Sequence, residues 1–217
     1  MANAWGGRRA GAGRTRRTGL RRVAHRTRGR IDALMPVHVT VRVVEGVISL
    51  RTMVAARALK AAFIAGRERG SFRLVHFSVM TNHLHLIVEA GSANALSLGM
   101  QGLLVRIARG LNRAVNRTGR VFVDRFHARV VGSTLDVRNT IAYVLGNARR
   151  HGIAFGGRLD PYSSAAWFGG WRDVRASTRD SPVAAAQCWQ LRGGWFPHGR
   201  LDALMVTRAR RACDLRG

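Results

Sequence analysis

One short run constrains this chain more than any other: His83-Leu84-His85-Leu86-Ile87-Val88-Glu89, set just two residues, Thr81-Asn82, behind the strand-like segment Phe72 to Met80. Successive side chains of a strand point to opposite faces. Leu84, Leu86 and Val88 therefore turn into a core, while His83 and His85 share the other face. Side chains two residues apart on one strand face stand about 7 Å apart. Two imidazoles so placed can converge on one metal ion, or remain two half-exposed strand histidines. An earlier run has the same alternation: Val37, Val39, Val41 and Val43 interleave with His38, Thr40 and Arg42. His38 falls on the non-core face and could join the other two histidines there.

Helical periodicity fills the gaps between the strands. Ser49 can cap a helix over about 50–69 that turns Leu50, Val54, Leu59 and Phe63 inward and ends at Gly70. A second helix over about 93–116 carries Leu96, Met100, Leu103, Leu104, Ile107 and Leu111 on one face. Arg106, Arg109, Arg113 and Arg117 recur on another. Strand-like sequence returns over 120–131, and a third helix is expected over 135–150. The order strand, helix, strand, strand, helix, strand, helix predicts an α+β, ferredoxin-like domain: an antiparallel four-stranded sheet with helices mainly on one face.

The chain around this domain is basic. Lys and Arg number 37 against 11 acidic residues, a net charge of +26. Such an excess opposes compaction unless a polyanion offsets it, and nucleic acid is the leading partner. Residues 1–33, arginine-rich and without an acid before Asp32, read as a disordered arm; an organelle transit peptide or a start at Met35 are the other readings. The domain is placed at 34–152, and residues 153–217 are read as an irregular basic extension. Its Trp167, Trp171, Trp189 and Trp195 either stack on unpaired bases or, the reading preferred here, pack the tail against the domain. Two widely spaced cysteines, Cys188 and Cys213, make neither a disulfide framework nor a cysteine zinc site. No run is apolar over the roughly 20 residues a membrane span requires. The expected location is cytoplasmic and nucleoid-associated, with monomer and homodimer both open.

In the third helix, Val137, Ile141, Val144, Leu145 and Ala148 form the apolar stripe. Asp136, Asn139, Thr140, Tyr143, Asn147 and Arg150 fall opposite. Tyr143 thus sits among polar groups, and Asn147 follows it by one turn on the same face. Only Tyr162 competes as a tyrosine nucleophile.

Asn82-His83-Leu84-His85-Leu86-Ile87-Val88 resembles the Asn-His-hydrophobic-His strand of the IS200-like transposases, including the REP-associated tyrosine transposases. Four further stretches resemble the same family, in family order: Pro36-Val37-His38-Val39-Thr40 its first strand, and Gly119-Arg120-Val121-Phe122 with Arg125-Phe126 the segment before its last strand. Ile141 to Asn147 resembles its nucleophile helix, and Asp160-Pro161-Tyr162-Ser163-Ser164 its Ser-Ser element. Thr81 and Ala148 stand where the family usually has proline.

The resemblance implies a "HUH" single-strand DNA transposase with Tyr143, His83 and His85 as catalytic residues. In it, His83, His85 and Asn147 hold Mg²⁺ or Mn²⁺. Tyr143 attacks a phosphate of single-stranded, hairpin-bearing DNA to leave a 5′-phosphotyrosine and a free 3′-OH. Arg106, Arg109, Arg113, Arg117 and Arg125 are the expected DNA contacts. The rival reading is a non-catalytic nucleic-acid-binding protein, domesticated or decayed. Hydrolase signatures such as Gly-x-Ser-x-Gly or a P-loop are absent.

Overall fold

The computed structural model describes residue 31 and residues 33–204; most of the expected arm, Cys213 and the end of the extension lie outside them. Nine elements follow in order: β1 (Met35–Arg42), α1 (Met53–Gly66), β2 (Glu68–Arg69), β3 (Phe72–Val79), β4 (His83–Ala90), α2 (Ala93–Ala114), β5 (His127–Val130), α3 (Thr134–Leu145) and α4 (Asn147–Arg150). The strands form one antiparallel sheet in the order β2-β3-β4-β1-β5. The four longer strands give the ferredoxin-like order that the sequence predicts, and the two-residue β2 adds a fifth at the edge.

The alternation read in the sequence splits the sheet into two faces. Val37, Val39, Val41, Leu84, Leu86 and Val88 pack with Leu59 and Phe63 of α1 and Leu103 and Ile107 of α2 in one core. The opposite face carries a second core, built by Ile87, by Val137, Ile141 and Val144 of α3, and by Phe168, Leu191 and Trp195 of the extension. α1 and α2 thus share one face, as expected, and α3 takes the other.

β3 breaks its own alternation. Leu74 pairs with Val88 but His76 pairs with Ile87, so Val75 is an extra, bulged residue. Leu74 and Phe77 accordingly stay in the first core while Val75 joins the second.

Several boundaries differ from expectation. Thr52, not Ser49, caps α1, its hydroxyl accepting from Ala55 N at 3.3 Å. Ser49 instead accepts from Arg51 N, and Leu50 is buried ahead of the helix. Val54 stands about 140° round the helix from Leu59 and is 47% exposed, not turned inward. Gly70 does not end this helix; it makes the β2–β3 turn at φ +55°, a left-handed conformation that suits glycine. Of the strand expected over 120–131, only His127–Val130 forms β5, with Phe122 bridging Val43 before it. The third helix is interrupted at Gly146 and resumes as α4.

The extension has little regular structure but is firmly packed. Trp171 and Trp195 are buried, Trp167 is half-buried and only Trp189, 68% exposed, stands clear. Its fastening is the Asp160–Ser164 stretch. Asp160 takes a two-pronged salt bridge from Arg51 at 2.8 and 3.0 Å. Tyr162 O accepts from Val79 N at 2.8 Å, and Ser164 Oγ accepts from Phe77 N at 3.0 Å. Beside it, the fully buried Glu89 carboxylate on β4 accepts from the backbone N–H groups of Gln187 and Cys188.

Candidate active site

Strand register decides which side chains meet. Thr40 of β1 lies opposite His85 of β4, and Arg42 lies opposite His83. Ser78 of β3 flanks His85 on its other side. His38 lies opposite Ile87 and, across β5, opposite Arg129. Directly paired residues share a face, so these side chains make a polar field on the sheet surface away from Leu84 and Leu86.

α3 lies over that field, its apolar stripe packed with Ile87 and Val75 and its polar edge on the histidines. Arg129 of β5 forks onto Asp136 at 2.6 and 3.2 Å and reaches Thr140 Oγ1 at 3.1 Å, pinning the helix by residues that helical phase alone would leave facing water. Tyr143 is consequently half-buried, with its ring edge-on to His85 at 5.3 Å and to His38 at 5.8 Å. Arg150 of α4 lies over the same ring at 5.3 Å. The His151 and His83 rings stand 6.5 Å apart.

One histidine tautomer is set by its partner. His83 Nδ1–H donates to Asn82 Oδ1 at 2.8 Å, which leaves a lone pair on His83 Nε2. His85 Nδ1 meets His38 Nε2 at 3.2 Å and Thr40 Oγ1 at 3.3 Å, both able to donate or accept, and the His38 ring stacks on it 18° from parallel. The His83 and His85 Nε2 atoms stand 3.1 Å apart. With the His85 proton on Nε2 they share a hydrogen bond; with it on Nδ1 they offer two lone pairs to one cation. Adjacent ligands of a small cation with bonds of about 2.1 Å sit about 3 Å apart.

Protonation is disfavoured here. Burial holds His85 at about 3, with His38, His83 and His151 adding to the effect. Burial, then Arg129 and His127, holds His38 at about 4. Burial and the charges of Arg42 and His151 lower His83. Neutral imidazoles are the form that binds metal. Among the described residues no three His, Cys, Asp or Glu side chains form a metal-holding group; a side-chain amide is another kind of oxygen ligand. Asn147 is fully buried, and neither its Oδ1 nor its Nδ2 has a hydrogen-bond partner. An orphaned amide one turn from Tyr143 fits that role.

The structure thus gathers Tyr143, His83 and His85 at one place, while Asn147 lies buried at the start of α4, beyond the break at Gly146. It does not gather the arginines. α2 packs on the opposite face of the sheet, so the exposed Arg106, Arg109 and Arg113 and the half-buried Arg117 are remote from Tyr143. Arg117 is tied to Asn112 Oδ1 at 2.9 Å and Arg120 O at 2.8 Å. Arg125 is exposed in the loop before β5. The cations that do approach the histidines and tyrosine are Arg42, Arg129 and Arg150. Arg42 was legible from its parity with His38 and Thr40, whereas Arg150 depended on knowing which helix face meets the sheet.

No family model matches this chain, and no curated protein matches it. Among solved structures, a REP-associated tyrosine transposase bound to a REP hairpin matches at 19% identity and a TM-score of 0.53, over 66% of this chain and 83% of its own. A candidate transposase from Deinococcus radiodurans R1 matches at 17% identity over 50% of this chain and 87% of its own. Its TM-score, 0.39, is too slight to bear on the fold. The chain has the fold of a REP-associated tyrosine transposase, the group its motifs resemble.

Proposed function

We propose that this chain is a transposase of the IS200-like, REP-associated tyrosine type, nicking and rejoining single-stranded, hairpin-bearing DNA through a 5′-phosphotyrosine at Tyr143. The observation that carries this reading is the convergence of the His83 and His85 Nε2 atoms at 3.1 Å beneath the edge of the Tyr143 environment, with the His85 and Tyr143 rings 5.3 Å apart. Mg²⁺ or Mn²⁺ held by His83, His85 and Asn147 would supply positive charge to a phosphate oxygen. Asn82, His38 and Thr40 orient the two imidazoles. Arg150 and Arg42 add positive charge on the side where a phosphate would approach. Tyr143 Oη forms a bond to phosphorus as the P–O3′ bond breaks, leaving the 3′-OH free; attack by a 3′-OH on the phosphotyrosine reverses the step and joins strands.

The full chain is incubated with Mn²⁺ and folded single strands carrying a hairpin, and the products are resolved by denaturing electrophoresis and peptide mass mapping. The expected product is a covalent adduct on Tyr143, absent in Tyr143→Phe and present in Tyr162→Phe. An adduct on Tyr162, or one that persists in Tyr143→Phe, overturns the assignment. A second reading, a non-catalytic nucleic-acid-binding protein, draws on the exposed α2 arginines standing away from Tyr143. Binding without a nick in the same assay favours it.

A further inference from the structure

The extension forms an open cleft of about 480 Å³ against β3. Buried His76, Phe168 and Trp195 line it, together with half-buried Trp167 and exposed Phe196. Phe168 and Trp195 lie 19° from parallel at 5.7 Å. A Cβ on Gly170 would come within 2.3 Å of Phe168 and 2.6 Å of Trp195, so that glycine lets the rings close up. Arg179 and Arg192, both exposed, complete the rim, and among the described residues no acidic side chain lines the cavity. Lys60 Nζ stands 5.8 Å from the Trp167 ring.

Planar rings and guanidinium groups without a carboxylate select a flat aromatic ligand bearing negative charge, the chemistry of a nucleotide. Position favours one that belongs to a DNA strand. His76 on β3, Ile87 on β4 and His38 on β1 form one cross-strand row. Two strand spacings, about 10 Å, therefore separate the cavity's His76 from the His38 that touches Tyr143. A few nucleotides of single strand bridge that gap.

We propose that this cavity receives an unpaired base of the strand whose phosphate lies at Tyr143, stacked on Phe196 and Trp167 and held by Arg179 and Arg192 through its phosphate. The proposal rests on the transposase reading for the strand, but its test does not require cleavage. Binding of a fluorescein-labelled 20-nucleotide mixed-sequence single strand to the full chain is measured by anisotropy in chelator. The same strand is then tested with one abasic site moved along it, and with the four deoxynucleoside monophosphates as competitors.

Base–aromatic stacking implies a loss of about 5- to 150-fold at the abasic position that empties the cavity. That penalty should vanish in Phe196→Ala and shrink in Arg192→Gln, both at exposed positions. It should also vanish in Gly169→Leu, which extends a side chain from a lining position with open space at its Cβ. A wild-type protein indifferent to every abasic position, or a penalty surviving in all three variants, overturns the proposal. Competition by monophosphates without any abasic penalty overturns its strand-bound form and leaves a free-nucleotide site. A Tyr143 adduct that never forms, beside an intact abasic penalty, overturns the transposase reading alone.

Discussion

Asp160→Ala should destabilise the protein by about 3–5 kcal/mol, the cost of orphaning one member of a buried ion pair. The Arg51 and Asp160 side chains are only 9% and 1% exposed. Arg51 gives two hydrogen bonds to this carboxylate and a third, at 2.7 Å, to Val79 O, with its guanidinium 4.5 Å over the Tyr162 ring. Alanine leaves the guanidinium desolvated with one acceptor in place of three. It also strips the Tyr162 N–H of its acceptor, Asp160 Oδ1 at 3.0 Å, which puts the expected loss toward the upper end. Urea titration followed by far-ultraviolet circular dichroism reads it directly. At about 2–4 °C per kcal/mol for a chain of this size, Tm should fall by roughly 6–20 °C. The double variant Arg51→Met/Asp160→Leu removes both charges together, so its loss should be well below the sum of the single changes. A loss under about 1 kcal/mol for Asp160→Ala, or strict additivity in the double variant, would refute the account of this stretch as a buried ionic clasp.

Three other outcomes are expected. His38→Ala should weaken Mn²⁺ binding about tenfold by calorimetry, and His38→Ala/Thr40→Val about a hundredfold, because His85 Nδ1 then loses both hydrogen-bond partners that orient the ring; unchanged affinity would remove His38 from the site. His76, held at about 4 by burial, below the usual 6.5 of an imidazole, binds a proton more readily unfolded than folded. Its contribution to stability is therefore complete above pH 6.5 and falls as pH drops toward 4, by up to about 3 kcal/mol, and His76→Gln should flatten the pH profile of urea midpoints across that window. Arg106→Gln/Arg109→Gln/Arg113→Gln should lower the slope of log affinity for single-stranded DNA against log salt by about 2 if these arginines meet phosphates; an unchanged slope would show that the strand keeps to the opposite face.

Much of the fold was legible because β1 and β4 alternate without interruption, and α2 repeats its apolar residues without a break. The same parity puts His83 and His85 on the face away from Leu84 and Leu86. Helical phase separated Tyr143 from Val137, Ile141 and Val144, but phase is relative: it cannot say that the polar edge as well as the apolar stripe meets the sheet. That depends on Arg129 capturing Asp136 and Thr140, a contact between a strand and a helix that no local pattern encodes. The arginine stripe of α2 failed as a guide to the site for a related reason. Charge periodicity locates a solvated helix face, while the layer order decides which side of the sheet it serves. The extension was opaque because its core, around Phe168 and Trp195, is assembled from turns with no repeating period.

The bulge at Val75 makes β3 a strand with one residue to spare. Before it, Phe72 and Leu74 face the first core; after it, Phe77 and Val79 do, so the in-facing positions change from even to odd numbers. Losing Val75 would restore plain alternation, Phe72-Arg73-Leu74-His76-Phe77-Ser78-Val79, with every core residue on its own side. Losing Arg73 or Ser78 instead would bring two core residues side by side along the strand, where alternate facing turns one of them out of the core. A strand one residue shorter at Val75 would keep Leu74 opposite Val88 and Ser78 beside His85, and with them the hydrogen bonds of Phe77 and Val79 to the extension.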